Sequence, residues 1–228
     1  MTDKKKKTIL PYSVLLMLVA LGLSYIEIFK WPFGTFVTLA SFVPLLVIVY
    51  KYGVKWGLFT GLFFGLIKGG IDVFLLHTAG ELPTSADIAV VFVLDFVVAY
   101  AVLGFAGLFR DRIESDLAGN LLGGGFAVIL NWAAHFVSRF LIYGTEAKTY
   151  LLQMKDSFGG TKWAGTSLES FVANLCDNVI AHYTGNYRGE IYAFLYTASY
   201  MLPELILTLL IVLLLMVIPK VKDFVSYD

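Results

Sequence analysis

Residues 119–143 read GNLLGGGFAVILNWAAHFVSRFLIY, an apolar run that carries a single full charge, Arg139, and a histidine, His135, one turn before it. A helix of this length crosses a hydrocarbon core of about 30 Å. Asn131, His135 and Arg139 recur every four residues and so share one helix face. Ionisable groups at membrane depth are costly, and where they occur they mark a pathway or a site. The stretch therefore reads as a membrane span bearing a polar stripe, in a protein that binds or transports something.

Five further runs of comparable apolarity lie near 9–29, 32–50, 54–77, 88–109 and 189–218. With 58% hydrophobic and 15% charged residues and a mean hydropathy of +0.78, a chain of 228 residues cannot hide its apolar surface from water in a soluble fold. The expectation is an all-α, polytopic membrane protein with six transmembrane helices, forming a single membrane domain over 1–228. Short loops rich in Lys and Arg stay cytoplasmic. That rule puts the basic tail 1–8, Lys51, Lys55, Arg110, Arg112, Lys220 and Lys222 inside, both termini with them, and the loop 77–87 with Glu81 and Asp87 outside. The run after Lys4 to Lys7 is too long for a secretory signal and lacks a small-residue cleavage site, so the first segment is expected to be retained. Cys176 stands alone, so no internal disulfide forms, and no cysteine-histidine spacing points to a metal. No cofactor and no nucleic-acid partner is expected.

Seven ionisable residues fall inside the apolar runs: Glu27, Lys68, Asp72, Asp95, His135, Arg139 and Glu204. At about 1.5 Å of rise per residue, most of them sit in the outer half, with Glu204 nearest the midplane. Tyr192, Tyr196, Tyr200 and Glu204 form a second four-residue stripe, so two stripes can converge on an outward-facing site. Lys68 and Asp72, also four apart, either belong to that site or neutralise one another. Leaving His135 aside, the acids Glu27, Asp72, Asp95 and Glu204 outnumber the bases Lys68 and Arg139, which favours a cationic guest. Gly57, Gly61, Gly65 and Gly69 repeat along one run and allow another backbone to approach closely, an internal packing seam. Ala20, Gly22 and Ser24 make a shorter patch for a neighbouring span or another subunit.

Residues 144–188 are an external insertion. Leu168, Phe171, Val172, Leu175, Val179 and Ile180 recur at helical spacing behind a Thr166 to Glu169 capping box, which predicts one amphipathic external helix between spans five and six. Gly159, Gly160, Gly185 and Gly189 flank it as candidate hinges. A lid over the site and a static helix on the membrane surface both fit.

The segments Trp31-Pro32-Phe33-Gly34, Val37-Thr38-Leu39-Ala40-Ser41-Phe42-Val43-Pro44 and Tyr52-Gly53-Val54-Lys55-Trp56-Gly57 resemble the first half of the thiamine-specific substrate-binding subunits of energy-coupling-factor transporters. Leu94-Asp95-Phe96, the Gly104 to Arg110 segment, His135-Phe136-Val137-Ser138 and the segment from Tyr196 to Glu204 follow in that family's order, leaving only the N-terminal tail and 144–188 outside the resemblance. The resemblance implies a bacterial plasma-membrane subunit of six helices that captures thiamine from outside and is not an enzyme. It implies docking through Ala20, Gly22 and Ser24 to a transmembrane coupling subunit and two ATP-hydrolysing subunits, and the chain itself has no Gly-x-x-x-x-Gly-Lys phosphate loop. Ligand-contacting positions fall on Trp31, Asp95, His135, Tyr143 and Tyr192. Thr197, where the family carries Asn, and Glu204 complete the expected substrate-binding set.

Thiamine joins a permanent cation to a flat aminopyrimidine. Asp95 can accept hydrogen bonds and balance the charge while Trp31, Tyr143 or Tyr192 stacks on a ring, although Trp31 and Tyr143 also suit a plain interfacial belt. Phe96 stands where the family has Tyr, and Arg139 where a small residue is usual. A cation beside Asp95 competes with a cationic ligand unless it turns to Glu204 or another acid. A thiamine precursor, a phosphorylated form, another ring-bearing vitamin, or a solitary proton-coupled carrier using Asp95, His135 and Glu204 as a relay remain alternatives.

Overall fold

Glycine at every fourth position decides how two of the apolar helices meet. In the computed structural model, which describes residues 3–78 and 85–225, Gly57, Gly61, Gly65 and Gly69 of α3 (Val54–Thr78) face α4 (Ser85–Arg110). A Cβ added at Gly65 would lie 2.5 Å from the carbonyl oxygen of Phe96, and one at Gly69 would lie 2.7 Å from Phe96 Cβ. Gly61 rests against the Tyr100 carbonyl in the same way. Gly104 returns the favour from α4, backing onto Gly57 and Leu58. Such approach is what small residues allow where lipid removes the usual hydrophobic drive between helices.

Helix α4 is irregular. It passes from α geometry into a π segment over Val91–Val98, back to α over Ala99–Ala101, and into a tighter 3-10 coil over Val102–Arg112. Helix α5 (Asp116–Tyr143) packs on that coil, Gly123 against the Ala106 carbonyl, and Asn131 Nδ2 donates to the Ala99 carbonyl at 2.8 Å where the π segment ends. Asn131 is fully buried. Helix α8 (Gly185–Val217) lies along α5, and Trp132 Nε1 donates to Thr197 Oγ1 at 2.8 Å between them.

The first third of the chain departs from continuous spans. Helix α1 (Asp3–Leu23) ends early, and a hairpin of β1 (Glu27–Lys30) and β2 (Phe36–Thr38) follows, pairing Glu27 with Thr38 and Lys30 with Phe36 around a bulge. Trp31-Pro32-Phe33-Gly34 makes its turn, closed by Trp31 N donating to Thr35 O at 2.7 Å and relieved by Gly34 at φ 96°. Pro32 cannot donate to a helix ladder and Gly34 takes the left-handed conformation, so an apolar run became a turn. Glu27, read from sequence as the outer end of span one, is an exposed strand residue. Helix α2 (Phe42–Tyr52) then packs in the core with Leu46 and Ile48 fully buried; at 11 residues it is about 17 Å long. Among the described residues four helices are long and apolar enough to cross a membrane, namely α3, α4, α5 and α8, while Thr8–Leu23 and Phe42–Tyr52 are shorter apolar helices.

Between α5 and α8 the chain forms two helices where one was expected, α6 (Ala147–Asp156) and α7 (Ser167–His182). Thr166 Oγ1 caps α7 by accepting from Glu169 N, and Glu169 Oε2 accepts from Gly165 N at 2.6 Å, one residue before the position a capping box would use. Leu151, Phe158 and Cys176 seal a small core between these helices, and burial pushes the Cys176 thiol up to about 11. The last helix among the described residues is α9 (Pro219–Val225). Residues 79–84, Glu81 included, and the side chains of Lys4 to Lys7 lie outside the described residues, and the charge bias read from them lies there too.

Candidate functional site

A cavity of about 310 Å³ opens between the hairpin and helices α3, α4, α5 and α8. That size is at the lower end of the range for small-molecule sites, about 300–1,000 Å³. Asp95 and Phe96 reach it from the π segment, His135 and Arg139 from α5, Tyr196, Tyr200 and Glu204 from α8, and Thr35, Phe36 and Thr38 from the hairpin side. Lys68 and Asp72 close it on α3.

Within it His135 Nδ1 lies 3.0 Å from Asp95 Oδ1, each side chain about one-fifth exposed. A carboxylate only accepts, so with Asp95 ionised the Nδ1 proton is donated to it and Nε2 is left as an acceptor or, once protonated, a donor. Asp95 keeps a second oxygen for a guest. The π segment that presents Asp95 is backed by the bare glycine face of α3, which holds an otherwise uncommon coil in place. Tyr200 sets its ring edge-on to His135 at 6.0 Å, and Tyr196 lies edge-on to Tyr200 at 6.4 Å.

The remaining charges have separate partners. Lys68 Nζ donates to Asp72 Oδ2 at 2.6 Å, Tyr25 Oη donates to Asp72 Oδ1 at 2.7 Å, and the Lys68 ammonium sits 4.2 Å from the Tyr25 ring. This trio neutralises itself. Glu204, buried at 4% exposure, accepts from Thr38 N at 3.0 Å and from Thr38 Oγ1 at 2.8 Å, so both carboxylate oxygens hold the end of β2. Thr38 Oγ1 also lies 3.0 Å from Ser41 Oγ; having one proton, which it gives to the carboxylate, it accepts from the serine. Arg139 turns neither to Asp95 nor to Glu204. Its guanidinium lies on the Tyr196 ring at 4.1 Å and the Tyr143 ring at 4.5 Å, and among the described residues no carboxylate stands within ion-pair distance of it.

Of the expected substrate-binding residues, Asp95, His135 and Glu204 line the cavity, while Trp31, Tyr143, Tyr192 and Thr197 do not. Trp31 Nε1 donates to Ser199 O at 3.0 Å and its ring stacks on Phe33. That carbonyl is available because Pro203, four residues on, has no N–H to give it. Tyr143 sets its edge against Tyr150, and Tyr192, at 2% exposure, stacks on Tyr150 within the α6–α7 core. Thr197 is fully buried, taking the Trp132 proton and donating to Ala193 O at 2.7 Å. Tyr196 and Tyr200, noted only as stripe members in the sequence, line the cavity. A step of four residues overshoots a 3.6-residue turn by about 40°, so Tyr192 and Glu204 point about 120° apart. In the patch at the end of α1, Ala20 and, one residue past the helix, Ser24 face inward at 0% and 3% exposure, and Gly22 faces outward.

A bundle of apolar helices around a cavity with an acid–histidine pair and tyrosine walls defines a multi-pass membrane protein built to hold a small solute. Residues 12–149 match the family model described as thiamine transporter protein, more than half of the chain, and the chain belongs to that family. Its members are transporters, not enzymes. The solved structure of ThiT from Listeria monocytogenes shares the fold, with a TM-score of 0.56 at 17% identity over 98% of this chain and 100% of that one. No curated protein matches the sequence.

Proposed function

We propose that this chain is the substrate-binding subunit of an energy-coupling-factor importer and captures thiamine or a close relative from outside the cell. The reading rests on the Asp95–His135 pair in a tyrosine-lined cavity in a chain of the thiamine transporter family. The second oxygen of Asp95 accepts from the aminopyrimidine, and Tyr196 or Tyr200 gives the rings a face on which to stack. In this reading α1 and α2 complete a six-span arrangement with both termini cytoplasmic, the hairpin re-enters beside the ligand, and α6 and α7 lie on the external side. Transport is driven by partner ATPase subunits through a coupling subunit, which meets α1 on its outward face at Gly22. The membrane is the bacterial plasma membrane.

Calorimetric titration of the detergent-purified protein with thiamine tests the reading. Asp95→Asn and His135→Ala are each expected to weaken binding by at least tenfold, about 1.4 kcal/mol, with the melting transition retained. Unchanged affinity in both variants would overturn the site. Uptake by cells that lack the coupling and ATPase subunits would instead establish a solitary carrier.

A further inference from the structure

Among the described residues, Arg139 is a cavity cation with no carboxylate within ion-pair distance. Lys68 is answered by Asp72 at 2.6 Å, Asp95 engages His135 at 3.0 Å, and Glu204 is occupied on both oxygens by Thr38. Arg139 lines the same space with only two tyrosine faces beneath it. A ring face attracts the plane of a guanidinium but takes none of its five N–H groups, which project from the edge of that plane. None of the Arg139 nitrogens is sealed away from the cavity without a partner. Its planar fork is therefore fixed in orientation by Tyr143 and Tyr196 and presents its donors to whatever fills the space.

We infer that Arg139 is a specificity residue for an anionic group, and that the preferred ligand is a phosphate monoester of thiamine rather than thiamine itself. The inference rests on the function proposed above and deepens it. A guanidinium pairs with phosphate through two parallel hydrogen bonds, the geometry that a pre-oriented fork serves best. Arg139 is four residues from His135 on one face of α5, about 6 Å along the axis, so a two-ring ligand held at Asp95 and His135 can send a short arm towards it. Charge decides between the two candidates. Free thiamine would leave the Arg139 guanidinium facing no anion. A phosphomonoester carries about −1.5 to −2 near pH 7 and turns the ligand into a net anion with a cationic ring, matching Arg139 at one end and Asp95 at the other.

The experiment compares thiamine with thiamine monophosphate by calorimetry on the full chain in detergent, as wild type, as Arg139→Gln and as Arg139→Lys. Wild type is expected to bind the monophosphate at least tenfold more tightly than thiamine. Arg139→Gln should lose at least tenfold for the monophosphate while its thiamine affinity holds or rises, and Arg139→Lys, which keeps the charge without the fork, should retain part of the preference. Wild type binding thiamine as tightly as the monophosphate, or more tightly, overturns the inference and leaves the transport reading standing. Equal losses for both ligands in Arg139→Gln overturn it as well, since a merely structural role would act on both. Binding of neither ligand to wild type defeats the transport reading and the inference together. If Arg139→Gln does not fold, the wild-type preference and Arg139→Lys still decide.

Discussion

The two walls of the cavity are held by different forces. On one side α3 meets α4 with glycine against backbone, so that a single methyl at Gly61 or Gly65 would overlap a carbonyl of the facing helix. On the other side the hairpin meets α8 through a short set of polar contacts: Trp31 to the Ser199 carbonyl, Thr35 Oγ1 at 3.3 Å from Ser199 Oγ, and Thr38 to both oxygens of Glu204. The first wall is close-packed and gains from dispersion over its whole length, so it has no intermediate position. The second is a sum of separable bonds, each worth about 1 kcal/mol net. The side that carries Asp95 is thereby the fixed one, and the hairpin is the side suited to give way when a ligand enters.

Breaking the fixed wall should have the largest effect. Gly61→Leu forces a side chain into the Tyr100 carbonyl and is expected to cost about 3 kcal/mol or more, read as loss of a monodisperse peak or a collapsed melting temperature in detergent. A variant that melts like wild type would mean that the seam is looser than its geometry indicates. Glu204→Ala attacks the other wall and strands the Thr38 amide and hydroxyl, with an expected loss of about 1–3 kcal/mol. Its sharper signature is kinetic: ligand dissociation should accelerate by more than the equilibrium stability falls, and an unchanged dissociation rate would deny the hairpin any part in release. Trp31→Phe keeps the stacking on Phe33 and deletes only the bond to Ser199, so a loss of about 1 kcal/mol in thermal unfolding is expected. If Trp31→Phe instead abolished binding, the indole would be a ligand contact and not a strut.

Much of this architecture was legible beforehand because it depends on composition and local period. The runs at 54–77, 88–109, 119–143 and 189–218 became α3, α4, α5 and α8 with shifts of only a few residues at their ends. The four-residue glycine repeat announced a close backbone approach, since only a bare backbone fits there. The hairpin was hidden inside two apolar runs, although Pro32 and Gly34, one and three residues after Trp31, carried its turn signal. The π segment left no mark in Val91 to Val98 that distinguishes it from an ordinary helix, because it follows from how Asn131 and the α3 glycines grip it. Tyr143, Tyr192 and Thr197 were placed by family pattern, Tyr192 also by stripe spacing, and the contacts they make with Tyr150 and Trp132 could not be read from either.

The amino-acid order alone determined that this chain belongs in a bilayer, which segments form its long helices, and which faces of them carry acid, histidine and arginine, because hydropathy and helical period are properties of neighbours in sequence. Only the tertiary structure decided who pairs with whom: Asp95 with His135, Glu204 with Thr38, and Arg139 with two rings and no acid among the described residues. Pairing turns on the rotation of each helix about its own axis and on a few ångströms of approach, and those are fixed by contacts between residues 40 to 166 positions apart.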